Sequence, residues 1–583
     1  LGATVADGGV DFAVWAPTHD RVTVRVQGGE ALALEKGDDG IHRGRAGGVG
    51  AGARYRVSLD DGPPFPDPAS RFQPDGVHGP SEVVDPGTYR WAAEGWGGLD
   101  PRRMVLYELH VGTFTEEGTF DALRAYLPYL AELGVTAVEL MPVHDFPGER
   151  GWGYDPAALF APCRAYGRPD DLRRLVDEAH SLGLGVVLDV VYNHLGPDGA
   201  YWAAFGPVLT GRHRTPWGRA VNLDDTHARG VRDTILLNAI RWLTEYRIDA
   251  LRLDATFALV DDSPEHLLAE MARRVEALPG PARRLIAEDD RNLADLVRPR
   301  GDGGYGLDGV WADDFHHLMR RYLAGDRHGY FAEFPTSTEA VAECIEERWY
   351  RRGRPGDSRG TSAAGLPHER FVTCIQNHDQ IGNRPTGDRL HHTVPMAAVR
   401  AATAVHLFAP QTPLLFMGQE WAASAPFLYF TDHGPELGAK VRRGRKREFR
   451  DFPGFSGDVP DPQAEETFER SKLDLAERER SPHRETLALH RALIALRGRV
   501  AGAVRAESPR EGLLRVERGR HVLVASLGGE GPVAVPRDVE IELCTEDARF
   551  GGGGGVAHEP GEVRFLGPGA TILRRTVEPT EAG

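Results

Sequence analysis

The sequence predicts an α/β protein built on a (β/α)8 TIM barrel, flanked by an N-terminal β-sandwich and a C-terminal all-β domain. Three observations carry this prediction. Eight short apolar runs alternate with amphipathic segments between Met104 and Glu420, the pattern of a parallel sheet closed on itself. Polar residues collect at the C-terminal ends of those runs, the face on which such a barrel carries its chemistry. The stretches before and after show period-two alternation cut by Gly, Asp and Pro, which is the pattern of antiparallel strands.

In chain order, Val10–Pro17, Arg21–Gln27 and Ala53–Leu59 read as strands of the first domain. The Pro-rich stretch Pro63–Pro86 reads as a linker, and the first domain spans 1–96. The barrel strands are predicted at Met104–Val111, Val135–Val143, Gly185–His194, Ile248–Ala255, Arg284–Asp289, Gly309–Asp314, Phe371–Asp379 and Thr412–Glu420. Helices are predicted between them at Phe120–Leu133, Pro169–Leu182, Ala228–Tyr246, Pro264–Leu278 and Pro395–Phe408. An open doubly wound sheet is the alternative, but no GxGxxG opens a helix after the first strand. Long insertions follow the second, third and sixth strands. Val441–Asp474 reads as charged and irregular, and a helix over Pro482–Arg497 completes the barrel domain, 97–498. Gly512–Arg518, His521–Leu527, Glu540–Cys544 and Ala570–Arg575 are strands of a third domain, 499–583.

Lys and Arg number 69 against 86 Asp and Glu, a net charge of -17. That field disfavours a nucleic acid or an anionic membrane as partner. No apolar run reaches the roughly 18 residues of a membrane span, and no basic-then-apolar leader opens the sequence. Cys163, Cys344, Cys374 and Cys544 form no CxxC or Cys/His cluster and read as free thiols, which points to a cytoplasmic protein. No cofactor is expected. A metal held by Asp189, Asn193 and Asp224 would lack a dense ligand run, so none is expected either.

Arg252 and Asp254 lie two apart in a strand and share one face. Alone they are a structural ion pair at a strand end. Glu288 and Asp379, at the ends of two other strands, change that reading. Two carboxyls are the minimum for glycoside hydrolysis, one ionised and one able to give a proton. Arg252 would hold Asp254 ionised, and burial behind Leu285, Ile286 and Ala287 would raise Glu288 toward the acid's role. His194 and His378 could bond sugar hydroxyls. Trp152, Tyr154 and Trp217 lie on loops above the barrel mouth, where aromatic faces suit pyranose rings. Each has a plainer reading: the tryptophans as packing, His194 as a loop histidine, Asp189 as an anchor for Arg252. His110 and Glu420 are expected to support the site from behind. His266, His316 and His317 are expected on solvated helix faces.

Four segments in order, DVVYNH (Asp189–His194), ALRLDA (Ala250–Ala255), IAED (Ile286–Asp289) and QNHD (Gln376–Asp379), resemble the motifs of the α-amylase family. The resemblance implies Asp254 as nucleophile, Glu288 as general acid/base and Asp379 as the third carboxylate. It places Tyr154, His194, Arg252 and His378 around the same sugar subsite. GWGYDP, TPWGRAVNLDD, NHDQIGNR and TFERSKLDL further resemble the maltooligosyltrehalose trehalohydrolase group of that family. This implies an immunoglobulin-like N-terminal domain and maltooligosyl trehalose, with related α-glucans, as substrate. It also implies retaining cleavage of the α-1,4 bond next to the terminal trehalose. Glycogen branching enzymes share part of this pattern and are the alternative, with a non-catalytic glucan-binding protein as a further one. Phe257 stands where many relatives are expected to have a histidine, which bears on the leaving-group contacts. The loops Gly211–Asp225, Asp289–Asn292 and Asp379–Arg389 are candidates for reading the trehalose linkage.

Overall fold

The eight predicted barrel strands all form, and all are short. They are Leu106–Leu109, Ala137–Leu140, Gly185–Val190, Ala250–Leu253, Arg284–Ala287, Gly309–Trp311, Phe371–Cys374 and Thr412–Phe416. In the computed structural model, which describes residues 1–448 and 459–576, they close in sequence order into a parallel barrel. The last strand pairs with the first, Leu414 against Leu106.

Strand parity explains where the chemistry comes from. Leu106, Ala137, Val187, Ala250, Ile286, Trp311, Val372 and Leu414 form one apolar cluster that fills the barrel floor. Their neighbours Leu251 and Leu253 pack outward with the helices. Two residues above the floor the same parity gives Glu108, Glu139, Asp189 and Arg252, all buried. Two residues higher still it gives Asp254, while Ile286 leads to Glu288 and Trp311 to Asp313. The interior is therefore layered: apolar below, charged in the middle, reactive at the mouth.

The predicted helices form, with two differences. Phe120–Leu133, read as one helix, is two, Phe120–Arg124 and Leu127–Leu133. Pro128 has no N–H and sits in the first turn of the second helix, where none is needed. Within Val441–Asp474, read as irregular, the helix Pro435–Glu448 extends into the segment with Arg445, Lys446 and Arg447 in its last turn, where cations oppose the helix dipole. A short helix, Glu465–Glu469, follows; 449–458 lie outside the described residues. Among the described residues no helix is long and apolar enough to cross a membrane.

The N-terminal strands Gly2–Ala6, Gly9–Trp15, Val22–Val26, Ala31–Lys36, Ile41–Gly47 and Arg54–Leu59 form an antiparallel sheet that folds over one core. Phe12 meets Tyr55 edge-on across it, ring centres 5.0 Å apart. The stretch Pro63–Pro86 is not a free linker. Pro64–Phe65 and Ser81–Glu82 add to Arg54–Leu59, since proline tolerates a sheet edge. Buried Asp67 accepts from Tyr55 OH at 2.7 Å. Arg71 pairs with Glu245 at 2.6 Å, which ties this stretch to the barrel helix Ala228–Glu245. On that helix a Cβ at Gly230 would come within 2.0 Å of Trp15 Nε1, so only glycine admits the sheet there.

After the helix His483–Arg497, a five-stranded antiparallel sheet includes all four predicted C-terminal strands, and three further strands form a second sheet. Buried Arg400 and Glu546, 2.8 Å apart, join it to the barrel helix Met396–Phe408. The predicted C-terminal domain continues to 583, but 577–583 lie outside the described residues.

Candidate active site

A cleft of about 590 Å³ opens at the C-terminal mouth of the barrel. Asp254, Glu288, Asp379, Tyr154, His194, His378 and Trp217 all line it. Arg252 lies just beneath. The structure thus brings together the eight residues that the sequence proposed for the site.

Arg252 is the hub. Its Nη1 donates to Asp189 Oδ2 at 2.8 Å and to Asp254 Oδ1 at 2.7 Å, and its Nη2 lies 3.6 Å from Glu288 Oε2. The guanidinium is stacked over the Trp311 ring, 4.4 Å from its centre. A buried cation needs such company, because an unpaired charge in this medium costs several kcal/mol or more. Asp189 acts as the expected anchor. It also accepts from Tyr154 OH at 2.5 Å, and burial, against the pull of Arg252, raises its carboxyl to about 7.

Asp254 has its second oxygen bonded to Asn193 Nδ2 at 2.6 Å, and the same amide reaches the Asp254 carbonyl at 2.8 Å. The next residue, Ala255, has φ +40°, a left-handed conformation that a non-glycine residue adopts only under constraint. This turn aims the Ala255 N–H at Glu288 Oε2, 2.6 Å away. Glu288 is 16% exposed. Burial pushes its carboxyl up to about 8; Arg252 opposes, and Asp254, Asp379 and Asp313 add to the rise. Asp379 is the most open of the three acids, 42% exposed, and accepts from Asn383 Nδ2 at 2.9 Å.

The histidines are held differently. His378 is buried, with Tyr154 stacked on its ring at 5.1 Å and 18°. His194 is bonded to Asn193 Oδ1 and, through Nε2 at 2.9 Å, to the Tyr154 carbonyl. Trp217, 48% exposed, stacks on His194 at 4.8 Å and 4° and leans on Phe257 at 6.2 Å. Phe257 therefore puts an apolar face beside Trp217 where a histidine would bring a hydrogen bond. Trp152 follows its plainer reading. It is buried, stacked on Phe427 at 5.1 Å, and donates to the Leu428 carbonyl at 2.9 Å.

His110 and Glu420 support from behind. His110 bonds the Gly151 carbonyl at 2.9 Å, fixing the loop that carries Tyr154, while Glu420 accepts from Tyr107 and Tyr129. His316 and His317 are not on a solvated face: both are buried beside Phe331, and burial lowers His317 to about 3. The segment Gly329–Glu333 folds over their helix, a long-range event that helical periodicity does not report. His266 is half-buried, caps the helix Leu267–Glu276 and stacks on Tyr305 at 4.8 Å.

Asp189, Asn193 and Asp224 do not converge on a metal. The first two serve Arg252 and Asp254, whereas Asp224 bonds His213 at 2.8 Å. Among the described residues, the group with ligand atoms close enough to share an ion is His213, Asp224 and Asp262. Arg212 already pairs with Asp262 there, at 3.1 Å. Sequence reasoning missed Glu108, Asp313 and Asn383. Parity along the first and sixth strands could have found the first two; Asn383 follows Asp379 by one helical turn.

The comparisons with known proteins agree with this geometry. The family description "Alpha amylase, catalytic domain" matches residues 87–206. A malto-oligosyltrehalose trehalohydrolase from Deinococcus radiodurans is 50% identical over 507 residues, covering 85% of this chain and 82% of that one. The crystal structure of an alpha-amylase candidate from Salmonella typhimurium superimposes with a TM-score of 0.89 at 37% identity, covering 98% and 99% of the two chains. A 1,4-alpha-glucan branching enzyme from Corynebacterium jeikeium matches less, 32% over 366 residues and 56% of this chain. The chain belongs to the malto-oligosyltrehalose trehalohydrolases, within the α-amylase family of glycoside hydrolases.

Proposed function

We propose that this protein hydrolyses the α-1,4-glucosidic bond next to the terminal trehalose of maltooligosyl trehalose and releases trehalose. The observation that carries the reading is the Arg252 hub, which binds one carboxyl tightly while the other is buried and proton-holding. A carboxyl held by a buried cation, beside a second one that burial keeps protonated, suits the nucleophile and acid roles of glycoside hydrolysis. Asp254 attacks C1 of the glucosyl unit. Glu288 protonates the oxygen that leaves with trehalose, then takes a proton from the water that cleaves the glycosyl-enzyme. Asp379 holds the sugar in the cleft. A cytoplasmic location goes with this reading, supported by four unpaired cysteines.

The test is incubation with maltooligosyl trehalose, followed by product chromatography. Free trehalose and a shortened maltooligosaccharide are expected. New α-1,6 branches on amylose without trehalose would make the protein a branching enzyme instead. Absence of any turnover would leave only glucan binding.

A further inference from the structure

Glu108 sits in the charged layer of the barrel, two residues above Leu106 on the first strand, and is 1% exposed. Its two oxygens serve one residue. Oε2 accepts from the His378 backbone N–H at 2.9 Å, and Oε1 accepts from His378 Nδ1. Anchoring the chain would need only the first bond. The second places a proton on Nδ1 and sets the ring, which Tyr154 covers on one face and Trp152 meets edge-on at 5.6 Å. Nε2 is left pointing toward the mouth, 3.8 Å from Asp379 Oδ1.

We propose that Glu108 is a positioning residue that keeps His378 protonated on both ring nitrogens, so that Nε2 offers a charged N–H to the sugar hydroxyl bound beside Asp379. This deepens the reading above and rests on the cleft binding a glucosyl unit. A charge-assisted hydrogen bond is roughly twice as strong as a neutral one. The surrounding groups are consistent with an imidazolium. Burial alone would discharge His378, but Glu108 and then Asp379 outweigh it and raise the ring to about 9, with Arg252 opposing. Asp189 and Glu139 act on the ring from across the barrel, on its third and second strands; burial holds Glu139 well above the usual carboxyl range, so it adds little charge. His110 behind it is lowered to about 4 by burial and stays neutral.

Two measurements test this. The first is the pH profile of kcat/KM on maltooligosyl trehalose for wild type and Glu108→Gln. In the variant His378 loses its main counter-charge and gives up its proton at lower pH. The ratio of variant to wild type should therefore fall about ten- to hundredfold between pH 5.5 and pH 8, the loss of one bond to a charged group. A ratio independent of pH would mean that Glu108 only braces the fold, and would overturn the proposal. The second uses the wild-type protein without substrate. In nitrogen-15 histidine spectra at pH 7.5, the signal that disappears in His378→Gln should show the imidazolium pattern. A neutral tautomer there would refute the idea even if Glu108→Gln does not fold. This readout involves no turnover, so it stands apart from whether the substrate assignment holds.

Discussion

Arg252 Nη1 lies 2.7 Å from Asp254 Oδ1, the first in the strand Ala250–Leu253 and the second just past its end, with a single residue between them. The bond is possible because positions two apart share the barrel interior. It fixes the carboxylate proposed to attack the sugar, with Asn193 on its other oxygen. Replacing Asp254 with Ala should reduce turnover by about 10⁴-fold or more, the scale seen when a nucleophile is removed. Substrate binding, read by calorimetry, should survive. Ordinary turnover in that variant would remove Asp254 from the chemistry.

Glu288 predicts the alkaline limb of the pH profile. It can donate a proton only while protonated, and burial raises its carboxyl to about 8. Activity that depends on it is present below about 8 and is lost as pH rises through that value. The fall in kcat/KM approaches about tenfold per pH unit. In Glu288→Gln the residual activity should lose this limb. A wild-type profile that falls instead near the ordinary glutamate range would contradict the assignment.

Arg252 carries structure as well as electrostatics. Removing it leaves Asp189 and Asp254 facing each other without their shared cation. Arg252→Met should lower the free energy of unfolding by about 3–5 kcal/mol, the cost of breaking a buried pair from one side. Urea unfolding at pH 7 measures it. An unchanged midpoint would show that Asp189 takes up a proton at no cost.

Trp217 offers one open face, the other lying on His194. Trp217→Ala should raise KM about threefold to tenfold, from the roughly 0.5–1.5 kcal/mol of an aromatic contact, with kcat little changed. Equal loss in kcat would place the ring in the transition state instead. Phe257→His in the same assay reports on the leaving-group side; a shift in the ratio of trehalose to maltose released would show that this position reads the linkage.

Gly230 marks the seat of the N-terminal sheet. Gly230→Ala places a methyl on Trp15 and should destabilise the protein by about 1–3 kcal/mol, the usual cost of overpacking. Thermal unfolding should report it, with catalytic constants preserved at low temperature.

The sequence alone determined the barrel, because apolar runs of fixed length separated by amphipathic helices admit few ways to bury both faces of a sheet. It also pointed to Asp254, Glu288 and Asp379 as candidates, since all three follow apolar runs at predicted strand ends; period-two parity aims Asp254 and Glu288 inward, whereas Asp379 reaches the mouth from the short helix His378–Gly382. Only the tertiary structure decided which of these side chains meet. Glu108 and His378 are 270 residues apart, and Glu288 receives its bond from Ala255, whose unusual φ no propensity foretells. His316 and His317 looked solvated until Gly329–Glu333 folded over them. Local patterns fix an element and its inward face; closure of the barrel and the packing of distant loops fix each residue's neighbours. Proton affinity depends on those neighbours, so the candidate chemistry was legible as residue types and became specific only in the folded chain.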